Sequence, residues 1–179
     1  AAMEQAPNAQ LPSRAVLGML QELRDDLRLI IDASSAQQHG ELAFADLLAP
    51  MRHRMTRLFE AHDIVARWQV DGLERVFLGN TQSLDVLRVL QEALTNVLKH
   101  ADARRVDVEL RNDPSALVLE VRDNGKGLAD SKEHHGTGMR SMQARARRLG
   151  ASLTVASDAG GTAVCLHRPW PVAAATVAV

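Results

Sequence analysis

Four polar side chains, Glu92, Asn96, Lys99 and His100, punctuate an otherwise apolar stretch of the sequence. On a helix advancing about 100° per residue with Glu92 at zero, Asn96 falls near 40°, Lys99 near 340° and His100 near 80°. A carboxylate, an amide, an ammonium and an imidazole therefore share an arc of roughly 100°. On the same wheel Val86, Leu87, Leu90, Leu94, Val97 and Leu98 lie between roughly 120° and 240°, a core-facing stripe. The chemistry on offer opposite that stripe is ionic and hydrogen-bonding. Any surface helix carries a polar face, so the arc alone names no ligand.

Two glycine-rich segments narrow the choice. Asp123-Asn124-Gly125-Lys126-Gly127 follows an apolar alternation that ends at Val121, which puts the Asp123 carboxylate at the exit of a strand. A carboxylate there can accept a hydrogen bond from an exocyclic amine, and glycines after it allow close approach of a ligand to the backbone. Gly136-Thr137-Gly138 precedes a helical pattern that begins at Met139. Glycines at a helix start leave backbone N–H groups open to an anion, and the helix dipole favours phosphate there. Arg140 and Arg145 fall on or near the first turns of that helix. A polar helix face, a strand-end aspartate and an N-terminal glycine pair, in this order, describe a nucleotide pocket.

The elements that must hold these groups can be read along the chain. Val16, Leu20, Leu23, Leu27 and Ile30 mark a pairing helix over 14–31, broken by the polar stretch 34–40. Phe44, Leu48, Met51, Met55 and Leu58 mark a second helix, with Pro50 requiring either a start or a kink nearby. Ile64, Ala66, Trp68 and Val70 alternate as a half-buried strand closed by Asp71-Gly72. The polar stripe belongs to a helix over 84–100. Val106, Val108 and Leu110 pair through the Asn112-Asp113-Pro114 turn with Leu117, Leu119 and Val121 as a hairpin. A helix over 139–149 stops at Gly150, and short strands over 153–155 and 164–166 flank Gly160-Gly161. The expected fold is α+β: a two-layer sandwich with a mixed, mostly antiparallel sheet, helices on one face, and a helical segment ahead of it.

Composition sets the outer limits. The 179 residues are 46% hydrophobic and 24% charged, enough for a packed core and unlike a disordered chain. A net charge of −1 argues against coating nucleic acid or an anionic membrane. A single cysteine, Cys165, excludes a disulfide framework and cysteine-based zinc, and its alternation with Val164 and Leu166 makes it a sheet residue. Arg147 and Arg148 read as a solvated helix end.

The residues as they stand resemble a known family. Gln91-Glu92-Ala93-Leu94-Thr95-Asn96-Val97-Leu98-Lys99-His100-Ala101, Asp123-Asn124-Gly125-Lys126-Gly127, Gly136-Thr137-Gly138-Met139 and Gly160-Gly161-Thr162 look like the ATP-binding catalytic domain of sensor histidine kinases, in the nitrate-sensor-like subgroup. The resemblance covers about residues 42–169. It implies that Asn96 holds Mg²⁺ and that Glu92 acts as the catalytic carboxylate, on hydrated Mg²⁺ or the incoming nucleophile. Lys99 and His100 would approach the phosphates, and Asp123 would read the adenine amino group. Gly125 and Gly127 would pass under the base with Thr162 behind it. Gly136, Thr137, Gly138 and Met139 would open the phosphate-facing helix, and 128–135 would be the lid, with His134 and His135 as its polar residues.

That resemblance also sets expectations about partners. It implies ATP and Mg²⁺ as cofactors, a histidine-bearing dimerisation domain as acceptor, and a response regulator of helix-turn-helix output. It implies a homodimeric full-length kinase, a cytoplasmic site and no direct contact with nucleic acid. The family's acceptor histidine precedes an acidic residue on an early helix, whereas His39 precedes Gly40 and His53 precedes Arg54. His62-Asp63 has the dipeptide but sits where a helix meets a strand. The expected division is therefore a linker over 1–13, the end of the dimerisation helices over 14–40, the ATP-binding domain over 41–170 and a tail over 171–179. The expectation follows that this chain binds ATP without accepting its phosphate. The alternative is an anti-sigma-factor-type kinase or regulatory ATP-binding module of the same fold.

Overall fold

The apolar alternation of residues 106–121 sets the sheet on which the rest is laid. In a computed structural model, which describes residues 43–127 and 137–171, the elements run in the order α1 (Phe44–Glu60), β1 (Val65–Asp71), a 3₁₀ turn (Leu73–Arg75), α2 (Asn80–Asn96), a π turn (Val97–Ala101), β2 (Arg105–Asn112), β3 (Ala116–Asp123), α3 (Thr137–Arg148), β4 (Ser152–Asp158) and β5 (Gly161–Pro169). The expected pairing helix over 14–31, the break over 34–40, the lid over 128–135 and the tail lie outside the described residues. So do Gly136, His39, His134 and His135.

The five strands form one sheet in the order β1-β2-β3-β5-β4. β1 pairs with β2 in parallel, and every other pairing is antiparallel. Val108 faces Val121, Leu110 faces Leu119, and Leu119 faces Leu166 across the ladder. These residues are all buried, along with Val106, Leu117 and Val164, and they point to the face that carries the helices. The opposite face alternates charged residues: Asp107 opposite Arg122 and Glu109 opposite Glu120. The predicted α+β two-layer arrangement is the one observed.

Local chemistry ends the helices where the chain must turn. After α1 the Asp63 N–H bonds the Glu60 carbonyl at 3.2 Å and the Ile64 N–H bonds the Phe59 carbonyl at 2.9 Å. This is a Schellman closure with Asp63 left-handed at φ 57°, and Ile64 packs down beside Phe59 in the core. Gly150, at φ 64°, closes α3 in the same way through Gly150 N–H to Arg147 and Ala151 N–H to Ala146. The Asn112-Asp113-Pro114 turn is confirmed by reciprocal bonds between Asp113 and Ala116 at 2.8 and 3.2 Å.

Several boundaries differ from the sequence reading. Pro50 neither starts nor divides α1, which begins at Phe44 and runs through it. The ring removes the N–H that would have bonded the Asp46 carbonyl one turn earlier and crowds that carbonyl. α2 begins at Asn80 rather than 84, because Gly79 supplies the extended N-cap without an apolar signal. Its α-helical bonding stops at Asn96, and residues 97–101 form a single wider π turn. Strands β4 and β5 extend to seven and nine residues through Ser157, Thr162 and Ala163, held by ladder pairing where apolar alternation is absent.

Candidate functional site: strand ends and the overlying helices

Helix α2 is covered on two sides. Val86, Leu87, Leu90 and Leu94 are buried against the sheet. Val89, near 60° on the wheel and so inside the polar arc, is 0% exposed. The reason is α3, which packs along that side with Met142 and Ala146 buried. The polar arc is thus only partly solvated: Glu92 is half-buried against the second helix and Asn96 is half-buried, while Lys99 and His100 are exposed.

Glu92 meets the first turn of α3 at Gly138. A Cβ on Gly138 would overlap the Glu92 carboxylate, with Cδ only 2.9 Å away. The described part of α3 opens at Thr137, two residues before the Met139 start expected, so Thr137 and Gly138 are themselves helical. Met139 packs on the core from this turn. Arg140 is exposed on the same turn. Arg145 does not join it. The sequence placed Arg145 near the first turns, but it lies in the last turn, contacting Ser141 and standing 3.9 Å from Asp85.

Asn96 directly precedes the π turn and makes no side-chain capping bond to it. A π turn advances each residue by less than an α-helix does, so Lys99 and His100 depart from the angles an α-wheel assigns them. Single π turns are enriched at functional sites because they shift side chains relative to one another. The turn ends at Ala101, followed by Asp102 in the left-handed region at φ 54°.

Ala101 links this helix to the strand-end loop. Its carbonyl accepts the Lys126 N–H at 2.8 Å. Gly125 lies so close that a Cβ there would stand 2.7 Å from the Ala101 carbonyl carbon. Asn124, which sequence reasoning left without a role, accepts the Arg104 and Arg105 N–H groups at 3.0 and 2.8 Å through Oδ1. An Asx side chain bonding nearby backbone is a common local pattern, but these partners stand 20 and 19 residues away and leave no local signal.

Asp123 ends β3 on the helix side of the sheet and is 7% exposed. Its Oδ1 accepts the Gly125 N–H at 2.8 Å and the Thr162 N–H at 3.3 Å, and neither bond uses Oδ2. Thr162 is further held by its hydroxyl, 3.1 Å from Ser157 Oγ. Gly127, at φ 70°, packs on the Asp158 backbone at the β4–β5 end. The expected residues therefore form two groups. Asp123, Gly125, Gly127 and Thr162 gather at the ends of β3, β4 and β5; Glu92, Thr137, Gly138 and Met139 gather where α2 meets α3. Asn96, Lys99 and His100 lie on the connection between them.

Comparisons with known proteins bear on the family and the fold. A family profile described as histidine kinase-, DNA gyrase B-, and HSP90-like ATPase matches residues 81–171. The chain is 29% identical over 147 residues to the signal transduction histidine-protein kinase/phosphatase UhpB of Salmonella typhimurium, covering 81% of this chain and 28% of that protein. It is 38% identical over 73 residues to the sensor protein VraS of Staphylococcus aureus, covering 40% of this chain and 21% of that protein. The chain thus spans less than a third of the length of these curated relatives. In fold it is similar to the blue-light activated histidine kinase EL346 of Erythrobacter litoralis, with a TM-score of 0.70 at 21% identity over 85% of this chain and 49% of that one. The histidine kinase AdeS of Acinetobacter baumannii gives a TM-score of 0.58 at 15% identity, over 90% and 87%.

Proposed function

The chain belongs to the family of histidine kinase-, DNA gyrase B- and HSP90-like ATPases, and from that premise we propose that it is the catalytic ATP-binding part of a two-component sensor histidine kinase. The observation that carries this reading is Asp123: a buried carboxylate, anchored through Oδ1 among the described residues, beside a glycine-lined loop. Such a group suits an exocyclic amine. The amphipathic α1 ahead of the first strand and the sensor-kinase relatives favour this reading over an anti-sigma-factor-type module.

The donor set fits Mg-ATP. Asn96 offers a half-buried amide oxygen, the kind of hard ligand Mg²⁺ accepts while keeping several waters. Mg-ATP supplies the transferable γ-phosphoryl group and its charge neutralisation. The protein's own share is positioning, which dominates in phosphoryl transfer. Asp123 and Thr162 fix the base end, and the Ala101–Lys126 bond sets the spacing between that end and α2. Lys99 and His100 present charge and a donor from the π turn, and the N–H groups of Thr137 and Gly138 would favour anionic oxygen. Glu92, held at that same turn, would orient the nucleophile or hydrated metal.

The acceptor would be a histidine on a dimerisation domain, and the phosphate would pass to a response regulator of helix-turn-helix output, both in a homodimeric cytoplasmic kinase. Among the described residues no helix is long and apolar enough to cross a membrane. The domain division over 14–40 and 41–170 is part of the same proposal. The test is calorimetric titration of ATP with and without Mg²⁺, then transfer from ATP to a separately supplied histidine-bearing helix pair. Asn96→Ala should reduce Mg²⁺-dependent affinity more than metal-free affinity. Equal losses, or no ATP binding by the intact chain, would overturn the assignment.

A further inference from the structure

Asp85 lies on α2, two turns before Glu92 and near 20° on the same wheel. It is 5% exposed, and nothing in the nucleotide site uses it. Its carboxylate is bound in bidentate fashion by Arg148 at the far end of α3: Nε to Oδ2 at 3.0 Å and Nη2 to Oδ1 at 2.6 Å. Arg145 stands on the same carboxylate at 3.9 Å and contacts Ser141 one turn earlier on α3. Sequence reading made Arg148 a solvated helix end; it is exposed there and is also the partner of a residue 63 positions away. Donating to the Asp85 carboxylate raises the Arg148 guanidinium pKa above its already high ordinary value, so the arginine stays charged.

The two helices therefore touch at two polar points, and the points are at opposite ends. The start of α2 meets the end of α3 through Asp85 and Arg148; the end of α2 meets the start of α3 through Glu92 and Gly138. The contacts are about 10 Å apart along α2 and about 15 Å apart along α3. Between these points Met142 and Ala146 pack in the core. The two polar contacts add a fixed tilt, and with it the position of Gly138 against Glu92. A buried carboxylate without its arginine is strongly unfavourable, so the lower contact resists release.

We infer that Asp85 is a positioning residue for phosphate binding, holding α3 through Arg148 and Arg145 so that the first turn of α3 is set against Glu92. The inference rests on the proposed nucleotide site for its consequence but not for its geometry. Base recognition at Asp123 belongs to the sheet and is independent of it.

The experiment compares the whole chain with Asp85→Asn and with the milder Arg148→Gln, whose side chain is 55% exposed and whose loss spares the core. The first measurement is amide hydrogen exchange without nucleotide at Ser141 and Met142, which are protected only if the first turn of α3 is in place. Both variants should exchange there about tenfold faster, with the sheet unchanged. The second is affinity for ATP against affinity for adenosine, which carries the base without phosphates. ATP binding should weaken about tenfold and adenosine binding stay within about twofold. A purely structural role would lower both affinities together, and that result overturns the inference. So does exchange that quickens only at 145–149. Should the intact chain bind neither nucleotide nor adenosine, the proposed function falls, and the exchange data still decide this inference.

Discussion

The carboxylate of Glu92 occupies the space that any side chain on Gly138 would need. Replacing Gly138 by alanine sets two effects against each other. Alanine is favoured over glycine inside a helix by about 1 kcal/mol. The group that must give way is the tip of a flexible side chain, so the fold can accommodate the methyl. Gly138→Ala should therefore leave Tm unchanged or slightly raised while phosphoryl transfer to the histidine helix pair falls by about tenfold or more through misplacement of Glu92. Thermal melts and transfer rates measured on the same preparation check it; a variant with wild-type transfer would remove Glu92 from the reaction.

Gly125 presents the opposite case, because its neighbour is backbone. A methyl there would meet the Ala101 carbonyl carbon at 2.7 Å and Ala101 Cβ at 2.9 Å. Neither can swing aside, and the Lys126 N–H to Ala101 bond would stretch. Gly125→Ala should lose about 1–3 kcal/mol, as overpacked interiors do. Urea denaturation should show a lower midpoint at constant slope, with weaker ATP binding in the fraction that remains folded.

Asp123→Asn keeps Oδ1 and so keeps the Gly125 and Thr162 bonds. What changes is the second position, from a charged acceptor to an amide donor. ATP affinity should fall by about 1–3 kcal/mol with little loss of stability. Calorimetry showing undiminished affinity in a folded variant would defeat the base-recognition role.

Cys165 lies half-buried on the open face of the sheet. Burial raises its thiol pKa, and the neighbouring Glu120 adds to the effect. The folded state thus holds the proton more tightly than the unfolded chain does. The corresponding stability is present below the ordinary thiol value of about 8.5 and is lost as pH rises through the folded value. The pH midpoint for alkylation by iodoacetamide should lie higher in the native protein than in the same chain in urea, and Glu120→Gln should lower the native midpoint.

The parts legible in the sequence were those written in local pattern. The apolar stripe of α2, the hairpin over β2 and β3, and Gly150 as a helix stop each follow from spacing within a few residues. Asp123 and its glycines were recognisable because a strand ends there. Three features were not legible. The π turn leaves no mark, since Val97 and Ala101 fit an α-wheel equally well. Asp85 lies on the polar stripe but reads as one more exposed charge until Arg148 is brought to it from 63 positions away. The parallel pairing of β1 with β2 depends on α2 crossing between them, which no pattern inside either strand encodes. Long-range pairing decided all but the first of these.

The sheet order has a mechanical corollary. Asp123 ends β3, the central strand, flanked by β2 and β5, whereas the groups for the triphosphate ride on the overlying helices. A molecule of ATP would be riveted at its base to the stiffest strand and at its tail to the layer above. Filling the cleft would then brace one layer against sliding over the other, and emptying it would restore that freedom.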